Sequence, residues 1–254
     1  MKPKDELSFQ ANDLRRKFGE DIFSPIDIFP LLQTHEDKTL IFYPLSSNIS
    51  GMCIRNHSGD QIIAINSKST YGRQRFTAAH ELYHLYVQEG FKSVVCGFDI
   101  GHGMDEEEKN ADCFASYFLA PNDGLRTFIE KILKKGRNNS LSIDDVVRIE
   151  QYFGMSRQAT LYRLVGDKYI KLDYANSLKT KIIASARNLG FDEKLYIPSQ
   201  EEKQYFTIGN YIKIAEKLRR NGIISIGKYE EFLLEAFRSD MVFTIDGENQ
   251  ELYD

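Results

Sequence analysis

The sequence predicts an α+β fold in which a small antiparallel sheet packs on two helices. Three short stretches between residues 40 and 66 alternate between apolar and polar residues, as the strands of a half-exposed sheet do. The stretches around them carry apolar residues three and four positions apart, which is typical of amphipathic helices. The last third of the chain shows only this helical periodicity, so we expect an all-helical C-terminal region.

The first predicted elements are helical and lead into the sheet. A helix is expected over residues 8–18 and a short one within residues 24–32. The three strands follow at residues 40–45, 51–55 and 61–66, and turn residues separate the last two strands. We expect these strands to pair with one another in antiparallel fashion.

Two longer helices come after the strands. The first is predicted over residues 73–88, and Gly90 is a typical residue just past a helix end. The second covers residues 106–119 and stops at Pro121, which cannot continue a helix. The stretch between them, residues 96–105, contains three glycines and no periodicity, so it is predicted to be a loop.

Composition and charge indicate a soluble protein of a reducing compartment. The chain has 254 residues with a net charge of −4, so it has no overall basic surface for non-specific binding of nucleic acid. No stretch approaches the roughly 18 apolar residues of a membrane span, and the N-terminus lacks the apolar part of an export signal. The three cysteines form no C-x-x-C pair. We therefore expect a cytoplasmic protein with free thiols.

Two histidines and a glutamate in FTAAHELYHLYV, residues 76–87, form an H-E-x-x-H motif. His80 and His84 are four residues apart on the predicted helix, so both imidazoles can face one metal ion. In this motif the glutamate, here Glu81, takes a proton from metal-bound water. The alternative interpretation is a core helix with two hydrogen-bonded histidines.

A catalytic zinc site also needs a third protein ligand, and the next helix offers several carboxylates. Glu108 and Asp112 lie four residues apart on one face, so Glu108 can bind the ion while Asp112 orients a ligand histidine through its second ring nitrogen. His102, in the glycine-containing loop, is the remaining candidate. We prefer Glu108 to His102 as the third ligand, because a helix holds its side chain in a more fixed position than a loop does.

These stretches resemble one known family. RQRFTAAHELYHLYV followed by EEEKNADCFASYFLAP is similar to the paired motifs of the ImmA/IrrE metallopeptidases. The resemblance continues through SPIDIFPLL, Gly51 and IIAIN upstream and through FGMSRQATLYRLV downstream, and so covers roughly residues 8–170. It implies a compact α+β fold with a gluzincin-like zinc site.

The resemblance also implies the role of each site residue. The zinc ligands would be His80, His84 and Glu108, and the base would be Glu81. Asp112 stands where the family usually has Asn, and Tyr83 where it usually has Gly. We expect Asp112 to remain a partner of a ligand and Tyr83 to narrow the cleft.

The family resemblance and the breaks in the sequence together suggest three parts. The polar stretch GRNNS at residues 136–140 is the clearest break, and after it two short helical stretches flank FGMS, with Ser142 and Ser156 as capping residues. The expected parts are a zinc metallopeptidase core at residues 1–135, a helix-turn-helix-like segment packed on it at 136–172, and a helical C-terminal region at 173–254.

The implied activity is that of a zinc metalloendopeptidase. Members of the family typically act on an Xre-type helix-turn-helix repressor in phage, mobile-element, stress-response or toxin-antitoxin settings, so we expect such a repressor or antitoxin as the substrate. An extended substrate can add to an exposed strand edge, and residues 61–66 are the candidate strand. The alternative is that this strand is paired on both sides.

Two other functions compete with this interpretation. A DNA-binding regulator could use residues 142–166, but their charges nearly balance and the second helix is largely apolar, so we do not expect direct DNA binding. A non-proteolytic toxin-antitoxin or sensor protein could use the metal only to stabilise its fold, but such a site has no use for Glu81. The aromatic stripes of residues 200–238 either complete the core or form a partner surface. The sequence predicts no particular oligomeric state.

Overall fold

The computed structural model confirms the predicted α+β class. It describes residues 1–35, 37–56, 58–90, 93–97, 105–136 and 140–243. Up to residue 119 the elements are α1 (Lys4–Lys17), α2 (Ile28–Thr34), β1 (Lys38–Tyr43), β2 (Ile49–Arg55), β3 (Gln61–Asn66), α3 (Tyr71–Tyr86), β4 (Ser93–Gly97) and α4 (Glu106–Leu119). Of these, β4 is not predicted by the sequence pattern.

Within the described residues the sheet has five strands in the order β4-β2-β3-β1-β5, where β5 is Phe206–Gly209. β2 is antiparallel to β3 and β4, and β1 is antiparallel to β5, but β1 and β3 run parallel. The expectation of an antiparallel sheet is therefore wrong for this pair, and the sheet is mixed. β3 forms an antiparallel hairpin with β2, and its other side pairs with β1, which runs in the same direction as β3.

β3 lies inside the sheet. Ile63 is opposite Cys53 of β2 on one side and opposite Leu40 of β1 on the other. A substrate peptide cannot add to a strand that is already paired on both sides, so the suggestion that residues 61–66 receive the substrate is wrong. The strands at the two edges are β4 and β5.

Helix α3 is enclosed between the sheet and α4. It contacts β2 and β3 on one side and α4 on the other, and α1 packs on α4. Apolar side chains fill these layers, among them Ile65, Leu82 and Phe114. An enclosed helix buries polar side chains only where they are paired or needed for chemistry. The buried polar residues of α3 therefore indicate where a functional site lies.

The helix-turn-helix-like segment contains the predicted pair of short helices. The elements after α4 are α5 (Asn122–Thr127), a π-helical turn (Phe128–Ile132), α6 (Ile143–Phe153) and α7 (Arg157–Gly166). Ser142 and Ser156 cap α6 and α7 through hydrogen bonds that their side chains accept, so both predicted caps are confirmed. Gly154 takes a left-handed conformation, with φ 64°, at the end of α6. Ile149 and Leu161 belong to the same hydrophobic core as α3 and α4.

The C-terminal region is mainly helical but contributes one strand to the sheet. Its elements are α8 (Leu172–Ser177), α9 (Ile182–Arg187), 3₁₀ turns at Lys194–Tyr196 and Glu201–Lys203, then β5, α10 (Asn210–Arg220), α11 (Ile226–Glu235) and α12 (Ser239–Val242). The expectation of an all-helical region is wrong at β5, because four residues are too few to show a strand periodicity and form a strand only by pairing with β1. Among the helices that the structure describes, none has the length and apolar character needed to cross a membrane.

Candidate metal centre

Three side chains from α3 and α4 converge on one point. The Nε2 atoms of His80 and His84, one helical turn apart, are 3.1 Å from each other. Glu108, in the first turn of α4, places Oε2 3.3 Å from Nε2 of His80 and Oε1 3.4 Å from Nε2 of His84. The packing of α4 against α3 thus brings together the three ligands expected from the sequence.

The separations and the donor types fit a zinc ion. Zinc in a tetrahedral site binds imidazole nitrogen and carboxylate oxygen at about 2.0–2.2 Å, so two of its ligand atoms are about 3.3–3.5 Å apart. The candidate ligand atoms of His80, His84 and Glu108 all lie within 4.8 Å of one another, and their closest approaches match this spacing. These residues can therefore hold a metal ion and leave a fourth position for water or substrate.

The electrostatics of the site favour a positive charge at this point. Burial disfavours the charged form of His80, but hydrogen bonds with Asp112 and Glu108 outweigh it and raise the pKa of His80 to about 10. Burial likewise disfavours an ionised Glu108, but hydrogen bonds from both histidines lower its pKa to about 2. The carboxylates around the histidines thus stabilise a cation between them, as they would for a metal ion.

Each histidine is oriented through its other ring nitrogen. Nδ1 of His80 is 2.9 Å from Oδ1 of Asp112, and Nδ1 of His84 is 2.6 Å from Oε1 of Gln88. Both oxygens can accept a hydrogen bond from Nδ1–H, so with a metal ion bound each ring would keep its proton on Nδ1 and turn the lone pair of Nε2 to the ion. The contact of Asp112 with a histidine is as expected from the sequence. Gln88 was missed; it lies two residues past the end of α3 at Tyr86, and its side chain reaches back to His84.

Glu81 is fully buried next to His80 in the chain, and Gly51 of β2 lies against its side chain. A Cβ atom on Gly51 of β2 would lie 2.9 Å from Oε1 of Glu81 and 2.5 Å from Cγ2 of Thr77. Both distances are too short for real contacts, so only glycine fits at this position. Gly51 thus leaves room for the carboxylate of Glu81 next to the ligands.

Tyr83 does not narrow a cleft, contrary to expectation. Its side chain is fully buried and packs against the rings of His84 and Phe114, at centroid distances of 5.6 and 5.7 Å. Its hydroxyl donates a hydrogen bond of 2.5 Å to Glu107. The reason is that α3 is enclosed on this side by α4, so a side chain pointing there meets the core. His102 lies outside the described residues.

Comparison with known families gives one match. The model of the IrrE N-terminal-like domain, Peptidase_M78, matches residues 38–165. This half of the chain runs from β1 to α7 and contains every residue of the candidate metal centre. A comparison with curated proteins finds no match.

Proposed function

The chain belongs to the IrrE N-terminal-like peptidase family, as the sequence motifs indicated, and from this premise we propose that it is a zinc-dependent metalloendopeptidase. The family makes it a metal-dependent peptidase. The single observation that supports the zinc site is the convergence of His80, His84 and Glu108 at spacings that suit tetrahedral zinc. We assign these three residues as ligands and Glu81 as the catalytic base.

The catalytic roles we propose rest on the H-E-x-x-H motif and on the convergence of the three proposed ligands. When bound, zinc would polarise the scissile carbonyl and bring the pKa of a water ligand toward 7. The carboxylate of Glu81, adjacent to His80 in the chain, accepts a proton from the attacking water and later delivers it to the leaving amine nitrogen. Asp112 and Gln88 keep the Nδ1 protons in place, so both imidazoles stay oriented throughout.

The substrate we propose is a protein, with a helix-turn-helix repressor or antitoxin as the first candidate. The support for this choice is the resemblance to the ImmA/IrrE proteins. An extended substrate segment would pair with the edge of β4 that no described strand covers, because β4 lies next to β2 and β2 carries Gly51 beside Glu81.

The contacts of α7 argue against a DNA-binding function. Arg157 is buried and pairs with Glu150, which lies in the turn before the helix-turn-helix corner. Arg163 is also buried and bonds to Asp167 at 2.5 Å. Arginines that contact phosphate or base edges must be exposed. We therefore propose that this segment supports the peptidase core and does not enter a DNA groove.

The peptidase proposal is tested by proteolysis of candidate repressors. Zinc-loaded protein is incubated with a panel of purified helix-turn-helix repressors and antitoxins, and the products are analysed by mass spectrometry. We expect one defined fragment pair from a repressor with the wild type, and none with Glu81→Gln at equal zinc content. Fragments that form equally with Glu81→Gln would show that another protease is responsible and would contradict the assignment of Glu81.

A further inference from the structure

An open apolar groove lies in the C-terminal region. It has a volume of about 790 Å³ and is bounded by the 3₁₀ turn at Glu201–Lys203, by β5 and by the ends of α11 and α12. Its apolar lining consists of Tyr205, Phe206, Leu234, Phe237 and Phe243. We call this the aromatic groove.

The rings at one end of the aromatic groove form an exposed cluster. Tyr43, at the end of β1, lies 5.2 Å from Tyr205 and 5.8 Å from Phe237 between ring centroids, and Tyr205 and Phe237 are 5.6 Å apart. Each of the three remains more than one-third exposed, at 39%, 47% and 38%. Large aromatic side chains that cluster without being buried are typical of surfaces that bind another molecule.

Phe237 holds this position at the cost of backbone strain. Its φ is +58°, and Arg238 N donates to Leu233 O at 2.8 Å, which places Phe237 just past the end of α11 where glycine is usual. A bulky side chain is strained in this left-handed conformation. Glycine would end the helix with less backbone strain, and the ring of Phe237 is not fully buried. The stability of the fold alone therefore does not account for a phenylalanine at this position.

The rim of the aromatic groove is acidic. Glu201 and Glu202 form one wall. Within the described ranges neither of these carboxylates forms an ion pair. Asp240 is different, because Arg238 neutralises it at 2.8 Å. Among the described lining residues the one basic side chain is that of Lys203. A complementary ligand would therefore be apolar in the middle and basic at its flanks.

We propose that the aromatic groove is a docking site for an amphipathic segment of a partner protein, with apolar anchor residues flanked by lysine or arginine. Proteins commonly recognise helical peptide segments in this way: apolar anchor residues enter a groove, and charged residues at its rim contact the flanks. The groove-lining residues lie beyond the 38–165 family match. The proposal therefore stands apart from the peptidase function and does not require it.

The test uses the full chain and a defined probe. The probe is a fluorescein-labelled, helix-forming peptide of about 15 residues, roughly four turns, with Leu and Phe on one face and Lys at the flanks, and a matched peptide replaces each Lys by Glu. Binding is measured by fluorescence anisotropy at physiological salt. We expect saturable binding of the Lys peptide and at least tenfold weaker binding of the Glu peptide. Reversing the rim charges with Glu201→Lys and Glu202→Lys should reverse this preference.

Phe237→Gly separates docking from packing. We expect it to weaken binding of the Lys peptide at least tenfold while leaving Tm unchanged or higher, because glycine relaxes the positive φ. Phe9→Ala is the matched control, since Phe9 is an exposed phenylalanine on α1, and it should leave the affinity unchanged. No binding by the wild type, or equal binding by Phe237→Gly, would overturn the proposal.

Two other occupants of the aromatic groove would give distinct results, and either result would overturn the proposal of a partner protein. A second copy of the chain would appear in sedimentation as a dimer that Phe237→Gly dissociates. The chain's own last residues would be indicated if Leu252→Ala and Tyr253→Ala, made together in the full chain, raised the affinity for the Lys peptide at least tenfold. A monomer whose affinity is unchanged by the Leu252 and Tyr253 substitutions supports a partner protein as the occupant.

Discussion

The hydroxyl of Tyr83 on α3 donates a hydrogen bond of 2.5 Å to Oε2 of Glu107 on α4. The bond joins the residue before His84 to the residue before Glu108, and both of these are proposed ligands. Glu108 lies in the first turn of α4, where the side chain of Asp105 caps Glu107 N but backbone N–H groups have no partner within the helix. The Tyr83–Glu107 bond thus fixes the segment that carries the third ligand.

Removing this hydroxyl should loosen the third ligand. We expect Tyr83→Phe to lower the free energy of unfolding by about 1.5–3 kcal/mol and to weaken zinc binding by several-fold, because the bond is to a carboxylate. Zinc affinity is measured by competition with a chromophoric chelator. Tyr86→Phe, on the same helix but partly exposed, is the control and should change neither quantity. Unchanged zinc affinity in Tyr83→Phe would show that this hydrogen bond does not support the metal site.

Changing Glu81 should abolish turnover without loss of metal. We expect Glu81→Gln to lower kcat by about 10²–10⁴, which is the usual contribution of a general base, since the amide cannot accept the proton. Zinc content should equal that of the wild type, because Glu81 is not among the three converging ligands. Turnover is followed on a repressor fragment or a labelled peptide. A variant that loses both zinc and activity would place Glu81 among the ligands instead.

Adding a methyl group at Gly51 should displace Glu81. The new Cβ would lie 2.5 Å from Thr77 and 2.9 Å from Glu81, so we expect Gly51→Ala to cost about 1–3 kcal/mol of stability and to reduce kcat much more than zinc binding. Gly227→Ala is the control, since a Cβ there meets nothing within 4 Å, and it should leave activity unchanged. Both variants are compared by thermal melting and by turnover. Full activity in Gly51→Ala would mean that Glu81 does not depend on this close contact.

Two substitutions of Asp112 should affect the zinc affinity differently. Asp112→Asn keeps an oxygen that can accept the Nδ1 proton of His80, so we expect zinc affinity within a few-fold of the wild type. Asp112→Ala removes the acceptor and should weaken zinc binding by about 10–100-fold, as loss of a ligand's orienting partner commonly does. The comparison uses the same chelator competition. Equal affinities for the two variants would show that Asp112 does not orient His80.

The residues of the metal centre were predictable because their geometry is local. His80 and His84 share one face of a helix through their spacing of four, and Glu108 and Asp112 share a face of the next helix in the same way. The packing of two buried helices then suffices to bring the pairs together. Gln88 was less visible, because it lies just beyond the end of α3 at Tyr86, where the helical periodicity no longer applies.

The features that were predicted wrongly depend on contacts between distant parts of the chain. Strand periodicity gives the position of β3 but not its neighbours, so its place between β1 and β2 could not be inferred. β5 becomes a strand only because the edge of β1 is free to pair with it. The direction of Tyr83 follows from the enclosure of α3, and spacing along the sequence contains no information on that enclosure.

The most direct test of the central claim is the zinc content of the wild type and of Glu108→Ala, purified in parallel and measured by elemental analysis. We predict about one zinc per chain in the wild type and a marked loss in the variant, because the structure places His80, His84 and Glu108 around one point and a site of this kind needs all three. Wild-type protein that takes up no zinc, even when zinc is supplied, would contradict the assignment of a zinc peptidase.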